Sequence, residues 1–527
     1  MVKRIVLSSV VAVLILAGLL PVVAMVLKSM IVDGHLNLEN YRGLLTLGRA
    51  QTLISHSLAL SLLTTFFATI LGLPLGILLG KTDLPLGKLF IVLFTVPLLV
   101  PPYITAISWF YILGREGFIS RLLGPSLAGV TSAWLFGLPG CVLILFSTFL
   151  PIVILLTATY LKTINPRLEE AGRLVSEWPG VLKTITIPLI LPGVLLAVML
   201  VFLLSLGEFS VPAFLRYNVF PVESFTQFSA FLNFGAATVA AIPLAIVTFV
   251  VLALESHFLR EKTYQVRPAH GTAFTEKIRL GRSRNWLFAL TAILCFVIAI
   301  LPTLVLVVQS FSVDAYPLAM ARAGDSLTRS LIYAAIGTSV LTVIGFVLGY
   351  LVQTRALPFW RTADSLTIFL FALPSTVIGI GLISLWNRPW TNFVYATPLI
   401  IIIGYVAQYA AITGRITFSM LAQIPPSMEE AAQVAGSGWF RRIGLIVAPL
   451  AKRGLIAAWL VGFIFCLRDT GISMIVYPPG LDTLPVRTFT LMANAPAGLT
   501  SALCVIMILA ALLPVGILTA AFRKGML

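Results

Sequence analysis

Long apolar runs separated by short polar breaks make up most of the chain. A helix needs about 20 apolar residues to cross the hydrocarbon core of a bilayer, and the chain contains twelve runs of this kind. They lie near residues 5–27, 53–80, 87–113, 132–161, 186–208, 236–258, 286–310, 328–353, 364–386, 395–420, 449–468 and 498–521. The pattern predicts an all-α polytopic membrane protein with about twelve transmembrane helices.

The runs form two similar series of six. The features that recur in the same order are Ser57 and Ser330, Gly72 and Gly345, Gly76 and Gly349, Pro97 and Pro374, Trp109 and Trp386, Glu169-Glu170-Ala171 and Glu429-Glu430-Ala431, and Pro188 and Pro449. Since both series have the same predicted orientation, the repeat is parallel, with a pseudo-two-fold axis along the membrane normal. We predict a first six-helix domain at 1–260, a cytoplasmic linker at 261–285 and a second domain at 286–527. A path between two such halves favours transport as the function.

The composition supports a membrane protein and excludes other classes. Of 527 residues, 59% are hydrophobic and 10% are charged, and the formal net charge is +16. Soluble domains contain about 25% charged residues, so a soluble enzyme, a fibrous protein and a disordered scaffold are excluded. Lys and Arg lie mostly in short breaks, as the positive-inside rule expects, and not on one face as in a nucleic-acid binder. We predict a lipid bilayer as the environment, no nucleic-acid partner and both termini in the cytoplasm.

The breaks after the fourth span of each half, near 165–188 and 425–449, share a motif in which proline precedes Glu-Glu-Ala. Proline in a first turn and acidic residues beside it are helix-start signals, and a later Gly or Ser ends the helix. Each break is predicted to form a short helix, a bend and a second short helix on the cytoplasmic surface. One copy is compatible with an ordinary charged loop, but two copies at equivalent positions favour a docking surface.

These loops resemble the EAA signature of permease subunits of ATP-binding-cassette importers, and the resemblance covers essentially the whole chain as a fused pair of permease domains. It implies the type I importer permease fold, in which each loop forms a coupling helix that enters a cleft of a separate ATPase subunit. Ser176 replaces the signature glycine, and the first loop is one residue shorter. The residues that match by position are Glu169, Glu170, Ala171, Gly172, Ser176, Glu429, Glu430, Ala431, Ala432 and Gly436.

The resemblance also implies partners and a location. It implies two ATP-binding cassette subunits, a periplasmic substrate-binding protein and a bacterial inner membrane. ATP and Mg belong to the ATPase, so this chain is expected to be a non-catalytic subunit without a cofactor that works by alternating access. Its nearest P-loop candidate, 76–82, has three residues between the glycines where the motif has four. Gly72, Gly76 and Gly80 are instead predicted to let helices pack closely.

Two stretches, 225–235 and 477–487, are similar to fused ferric-iron permeases, which implies ferric iron as the cargo. Importers of thiamine, polyamine, sulfate or phosphonate share the same frame and are alternatives. A secondary transporter driven by an ion gradient is a further alternative. It is disfavoured because the acidic residues lie mainly at span ends or in loops.

Two carboxylates occupy the same place in the repeat. Glu208 lies twenty residues after Pro188, and Asp469 lies twenty after Pro449. Ionisable residues near spans often mark a pathway, and hard oxygen ligands suit ferric iron, so both are predicted substrate-pathway residues. Interfacial charges that only reach water are the alternative. The four scattered histidines predict no stable metal site.

Overall fold

A computed structural model describes residues 2–32, 35–36, 39, 41–42, 48–258 and 277–523. Most of the predicted linker, at 261–276, lies outside the described residues. Six spans follow one another in the same order in each half. In the first half they are Val2–Leu14 with Ile15–Leu19 and Leu20–Met30, Arg49–Lys81, Gly87–Leu99 with Pro102–Leu113, Leu138–Leu161, Trp178–Val181 with Leu182–Thr186 and Ile187–Leu206, and Phe234–Phe258.

The second half repeats this order. Its spans are Gly281–Ser283 and Arg284–Cys295 with Phe296–Ile300 and Leu301–Ser310, Ala315–Thr354, Trp360–Ala372 with Ser375–Trp386, Leu399–Leu421, Trp439–Arg442 with Ile443–Val447, Ala448–Leu450 and Lys452–Leu467, and Ala497–Arg523. Within the described residues, nine helices are long and apolar enough to cross a membrane, and three bent pairs raise the number to twelve. The predicted all-α fold with about twelve spans is therefore confirmed.

The third span of each half, predicted at 87–113 and 364–386, is present but broken into two helices. The two parts meet at angles of 99° and 106°. Pro101 and Pro374 occupy the breaks with extended backbones, at ψ 139° and 138°. Proline lacks the N–H that would continue the helix and disfavours a helical conformation of the residue before it. The structural counterpart of Pro374 is therefore Pro101, and the sequence-based pairings of Pro374 with Pro97 and of Trp386 with Trp109, which share one offset, are wrong.

Four spans contain a π-helical turn: Ile15–Leu19, Leu182–Thr186, Phe296–Ile300 and Ile443–Val447. Each turn ends two residues before a proline, namely Pro21, Pro188, Pro302 and Pro449. The proline ring clashes with the carbonyl of the preceding helical turn and donates no hydrogen bond to it, and a widened turn relieves this conflict. The repeat thus extends to the first spans, which the recurring motifs did not cover.

Shorter elements join the spans. They are the antiparallel strands Ile31–Val32 and His35–Leu36, and the helices Phe118–Leu123, Pro125–Leu135, Pro166–Arg173, Ser210–Phe214, Phe220–Ser229, Pro389–Thr391, Asn392–Tyr395, Pro426–Val434, Gly471–Val476 and Leu484–Leu491. Pro125–Leu135 is separate from the fourth span, so the span predicted at 132–161 begins only at Leu138.

The second and fourth spans of each half pack closely, as the glycine spacing predicted. A Cβ atom at Gly72 would lie 2.7 Å from Val153 Cβ, and one at Gly76 would lie 2.6 Å from Thr157 Cβ. In the second half, a Cβ atom at Gly349 would lie 2.7 Å from the backbone nitrogen of Phe418. Small residues let helix backbones approach in a membrane, where van der Waals contact drives association.

The first span of each half packs against the opposite half. A Cβ atom at Gly381, in the second half, would lie 2.9 Å from the carbonyl carbon of Pro21. Conversely, the rings of Phe288 and Phe90 meet edge to face with centroids 5.6 Å apart. The two halves of the repeat are therefore interlocked through their first spans.

Candidate functional site: two coupling loops and a cavity between the halves

Both motif loops form the predicted helix, bend and helix. The first consists of Pro166–Arg173 followed by Trp178–Val181, and the second of Pro426–Val434 followed by Trp439–Arg442. In the first loop, the side chain of Asn165 accepts a hydrogen bond from the Arg167 N–H at 3.1 Å. Proline then fills the first turn, where a missing N–H has no cost. We call Pro166–Arg173 and Pro426–Val434 the first and second coupling helices.

The first glutamate of each motif points inward. Glu169 is 3% exposed and forms an ion pair with Lys81, which is equally buried at the end of the second span. The Thr186 hydroxyl donates a second hydrogen bond to Glu169 at 2.9 Å. A buried charge is tolerated only when it is paired and hydrogen-bonded. Glu169 therefore attaches the first coupling helix to its own half and is not accessible to a partner.

The second coupling helix is attached through the equivalent glutamate but by other residues. The Tyr350 hydroxyl donates to Glu429 at 2.7 Å, and Arg442 Nε donates at 3.4 Å. Trp439 Nε1 donates to the Tyr350 hydroxyl at 3.3 Å. Two repeat-equivalent glutamates thus have the same orientation and different partners.

The exposed surface of each loop includes large apolar side chains. Leu174 and Val175 are 88% and 91% exposed, and Val434 is 90% exposed. Glu170 and Glu430 are also exposed. The first coupling surface comprises Leu168, Glu170, Ala171, Leu174 and Val175, and the second comprises Met428, Glu430, Ala431 and Val434. Of the other motif residues, Gly172 and Ala432 are half-buried and Ser176 and Gly436 are exposed in the bends.

The two bends differ in backbone conformation. Gly436 has a φ of +79°, a left-handed conformation that glycine adopts without strain. Ser176 is not among the described residues with a positive φ. The extra residue of the second loop and its left-handed glycine belong to the same bend, so the two bends differ in length and in backbone conformation.

A cavity of about 100 Å³ lies between the two halves. It brings together Glu208 and Asp469, although these residues are 261 positions apart. The break of the third span of the second half lines the cavity through Pro374, and the corresponding break in the first half contributes Pro102. The other polar residues that line it are Ser210, Ser375, Gln408, Tyr409, Arg468 and Thr470. We call this space the interface cavity.

The two carboxylates differ in availability. Asp469 accepts hydrogen bonds from the Tyr409 hydroxyl at 2.8 Å and from the Ser473 N–H and hydroxyl at 2.9 and 2.7 Å, so both of its oxygens are engaged. Glu208 Oε1 accepts the Ser210 N–H at 2.9 Å, whereas its Oε2 accepts no hydrogen bond from the described residues. Both residues closely follow the ends of spanning helices, at Leu206 and Leu467. Glu208 is therefore the carboxylate available to a ligand.

Sequence reasoning missed Gln408 as a cavity residue. Its Nε2 donates to the carbonyls of Phe371 and Leu373 at 2.9 and 3.0 Å, beside the helix break. Its Oε1 is buried and has no hydrogen-bond partner among the described residues. A polar amide inside a predicted span was the available signal. The described residues contain no cluster of three or more His, Cys, Asp or Glu suited to a metal.

Aromatic rings from both halves meet beside the cavity. Phe209, which lines it, lies 4.5 Å from Phe225 and 5.9 Å from Phe489 between ring centroids. Tyr103 lies 5.5 Å from Phe489, edge to face. Phe225 and Phe489 belong to the connections between the fifth and sixth spans, so these connections pack against a residue that lines the cavity.

Residues 72–263 and 358–527 both match the family of inner membrane components of binding-protein-dependent transport systems. The chain is 25% identical to the ferric transport system permease protein FbpB of Actinobacillus pleuropneumoniae, over 84% of this chain and 67% of that protein. It is 22% identical to the Fe(3+)-transport system permease protein FbpB 2 of Haemophilus influenzae, over 89% of this chain and 90% of that protein.

A shorter relative matches only part of the chain. The molybdenum transport system permease protein ModB of Escherichia coli is 30% identical over 38% of this chain and 91% of its own length. The chain therefore resembles some relatives over most of its length and others over the length of a single half.

Proposed function

We propose, on the premise that the chain belongs to the family of inner membrane components of binding-protein-dependent transport systems, that it forms the complete transmembrane pore of an ATP-driven importer for ferric iron. Separate ATPase subunits bind the two coupling surfaces in the cytoplasm, and a periplasmic binding protein delivers the cargo on the opposite side. Movement of the ATPase subunits shifts the two halves between inward-open and outward-open arrangements, an equilibrium biased by differential contacts at the coupling helices.

The observation that carries this proposal is the pair of coupling surfaces. Each surface exposes large apolar side chains on or beside a helix whose first glutamate is held by the protein, through Lys81 in the first half and through Tyr350 in the second. Large exposed apolar side chains rimmed by charge are typical of protein interaction sites. Because the two surfaces occupy equivalent positions in a two-fold repeat, they suit two copies of one partner.

The cargo is proposed from the relatives and from the charge of the interface cavity. The relatives that match most of the chain are named as ferric permeases. Glu208, Asp469 and Arg468 together leave the cavity with an excess of negative charge. The open Oε2 of Glu208 and the unpartnered Oε1 of Gln408 are hard oxygen donors, which suit a transient contact with a hard cation.

Docking is tested by co-purification of an ATPase with the tagged full-length chain. The double variant Glu170→Arg with Glu430→Arg reverses one exposed charge on each coupling surface and should abolish recovery of the ATPase. The matched control is Glu116→Arg with Asp314→Arg, two exposed acidic residues in connections outside the coupling loops. The control should retain the ATPase, and equal recovery with both double variants would exclude docking at the coupling surfaces.

The pathway is tested by ATP-dependent uptake of ferric iron into liposomes that contain the assembled importer. Glu208→Gln should reduce uptake at least about tenfold, because it removes the available carboxylate, while ATPase recovery stays at the wild-type level. Glu116→Gln serves as the matched control. Wild-type uptake with Glu208→Gln would exclude Glu208 from the pathway, and uptake of molybdate in place of iron would exclude the proposed cargo.

A further inference from the structure

Arg468 breaks the symmetry of the interface cavity. It follows the fifth span of the second half directly and precedes Asp469. The equivalent residue before Glu208 is Gly207, where a Cβ atom would lie 3.1 Å from Pro374 Cα. The first half therefore has no side chain at this position and contacts the opposite helix break with its backbone. The second half has a guanidinium group there, which the repeated fold itself does not require.

The guanidinium group connects the two halves. Arg468 Nη1 donates a hydrogen bond to the carbonyl of Leu98. Leu98 lies in the last helical turn before the break in the third span of the first half. Carbonyls in a last helical turn have no partner within their own helix. In the second half, the carbonyl equivalent to that of Leu98 belongs to Phe371 and accepts Gln408 of the same half. The first helix break is thus completed by the opposite half and the second by its own.

Arg468 is also the one cationic side chain among the described residues that line the interface cavity. Arg468 Cζ lies 5.2 Å from the centroid of the Phe465 ring, so the guanidinium group also makes a cation–π contact. Glu208 and Asp469 are within electrostatic reach, yet neither forms an ion pair with a described residue. A negatively charged cavity in a membrane attracts protons and monovalent cations, and a fixed arginine raises a barrier against them.

We propose that Arg468 is the electrostatic seal of the resting pore and prevents leakage of protons and monovalent cations between transport cycles. The inference rests on the proposed transport function, since only a pore needs such a seal. The bond to Leu98 holds the charge in place only while the halves are close together. When they move apart, that bond breaks and the guanidinium group can withdraw from the path. The same side chain therefore blocks the pore when it is closed and moves out of the path when the pore opens.

The test measures passive flux through the full-length chain in liposomes, without ATP or a binding protein. Internal pH and sodium are followed after an ion gradient is imposed. Arg468→Met keeps the approximate size and removes the charge, and Arg468→Lys keeps the charge. We expect proton and sodium flux to rise at least about tenfold with Arg468→Met and to stay near the wild-type level with Arg468→Lys.

Two results would overturn the proposal: Arg468→Met as impermeable as the wild type, or Arg468→Lys as leaky as Arg468→Met. If Arg468→Met does not insert as a monodisperse protein, Arg468→Gln takes its place under the same criteria. Iron uptake with ATP and a binding protein is measured separately. If loss of Arg468 causes leakage but the wild-type chain transports no iron, the proposed seal stands and the proposed cargo is excluded. The two failures are therefore distinguishable.

Discussion

The two coupling loops occupy the same position in the repeat and hold the same glutamate inside the protein, but with different partners. In the first loop, Glu169 pairs with the buried ammonium group of Lys81, whereas Glu429 in the second accepts the Tyr350 hydroxyl and lies nearer to solvent. The difference shows that equivalent glutamates of one repeat can be held by an ammonium group in one half and by a phenol hydroxyl in the other.

The largest effect is expected from Lys81→Met, which leaves Glu169 as an unpaired buried charge. We expect the free energy of unfolding to fall by about 3–5 kcal/mol, while Lys88→Met, at an exposed lysine, leaves it unchanged. Thermal unfolding can be followed with a thiol-reactive dye, because all four cysteines are buried and free. The double variant Lys81→Met with Glu169→Met should recover most of the loss. If Lys81→Met alone is as stable as the wild type, the ion pair is not the attachment.

A smaller effect is expected from removing one hydrogen bond from each glutamate. Tyr350→Phe keeps the ring contact with Trp439 and removes the hydroxyl that donates to Glu429. Thr186→Val removes the corresponding bond to Glu169 and installs valine, as at Val447 in the second half. Each should lower the free energy of unfolding by about 1–3 kcal/mol, since a hydrogen bond to a charged group is lost. The same unfolding assay measures both, and a stabilising effect of either would contradict this assignment.

The smallest effect is expected in the bends. Gly436→Ala places a side chain at a φ of +79° and should cost about 1–2 kcal/mol. The matched change Ser176→Ala, at a position without a positive φ, should lower the free energy of unfolding by less than about 0.5 kcal/mol, as most surface substitutions do. Equal losses in the two loops would show that the bends do not differ as described. ATPase co-purification with the same variants shows whether the left-handed glycine also matters for docking.

Local features of the sequence were sufficient for much of the fold. Apolar runs of span length, the proline before Glu-Glu-Ala and the recurrence of these features predicted the spans, their order and both coupling helices. Gly72 and Gly76 predicted close contacts between the second and fourth spans. Each of these features depends on neighbouring residues or on a repeated pattern, so it can be predicted without three-dimensional coordinates. The pairing of Pro97 with Pro374 failed because identity of residue type does not establish structural register, and Pro101 occupies the helix break instead.

The sequence by itself determined that this protein is a polytopic, two-fold repeated membrane protein with a Glu-Glu-Ala motif in each half, because hydrophobic length, helix-start signals and repetition are properties of short stretches of sequence. Only the tertiary structure decided which charges are exposed and which are buried. Glu169 meets Lys81 across 88 positions, and Arg468 meets Leu98 across 370. Contacts of such separation depend on how bent and interlocked helices pack, and the free energy of burying a charge depends on that packing and not on its neighbours in the chain.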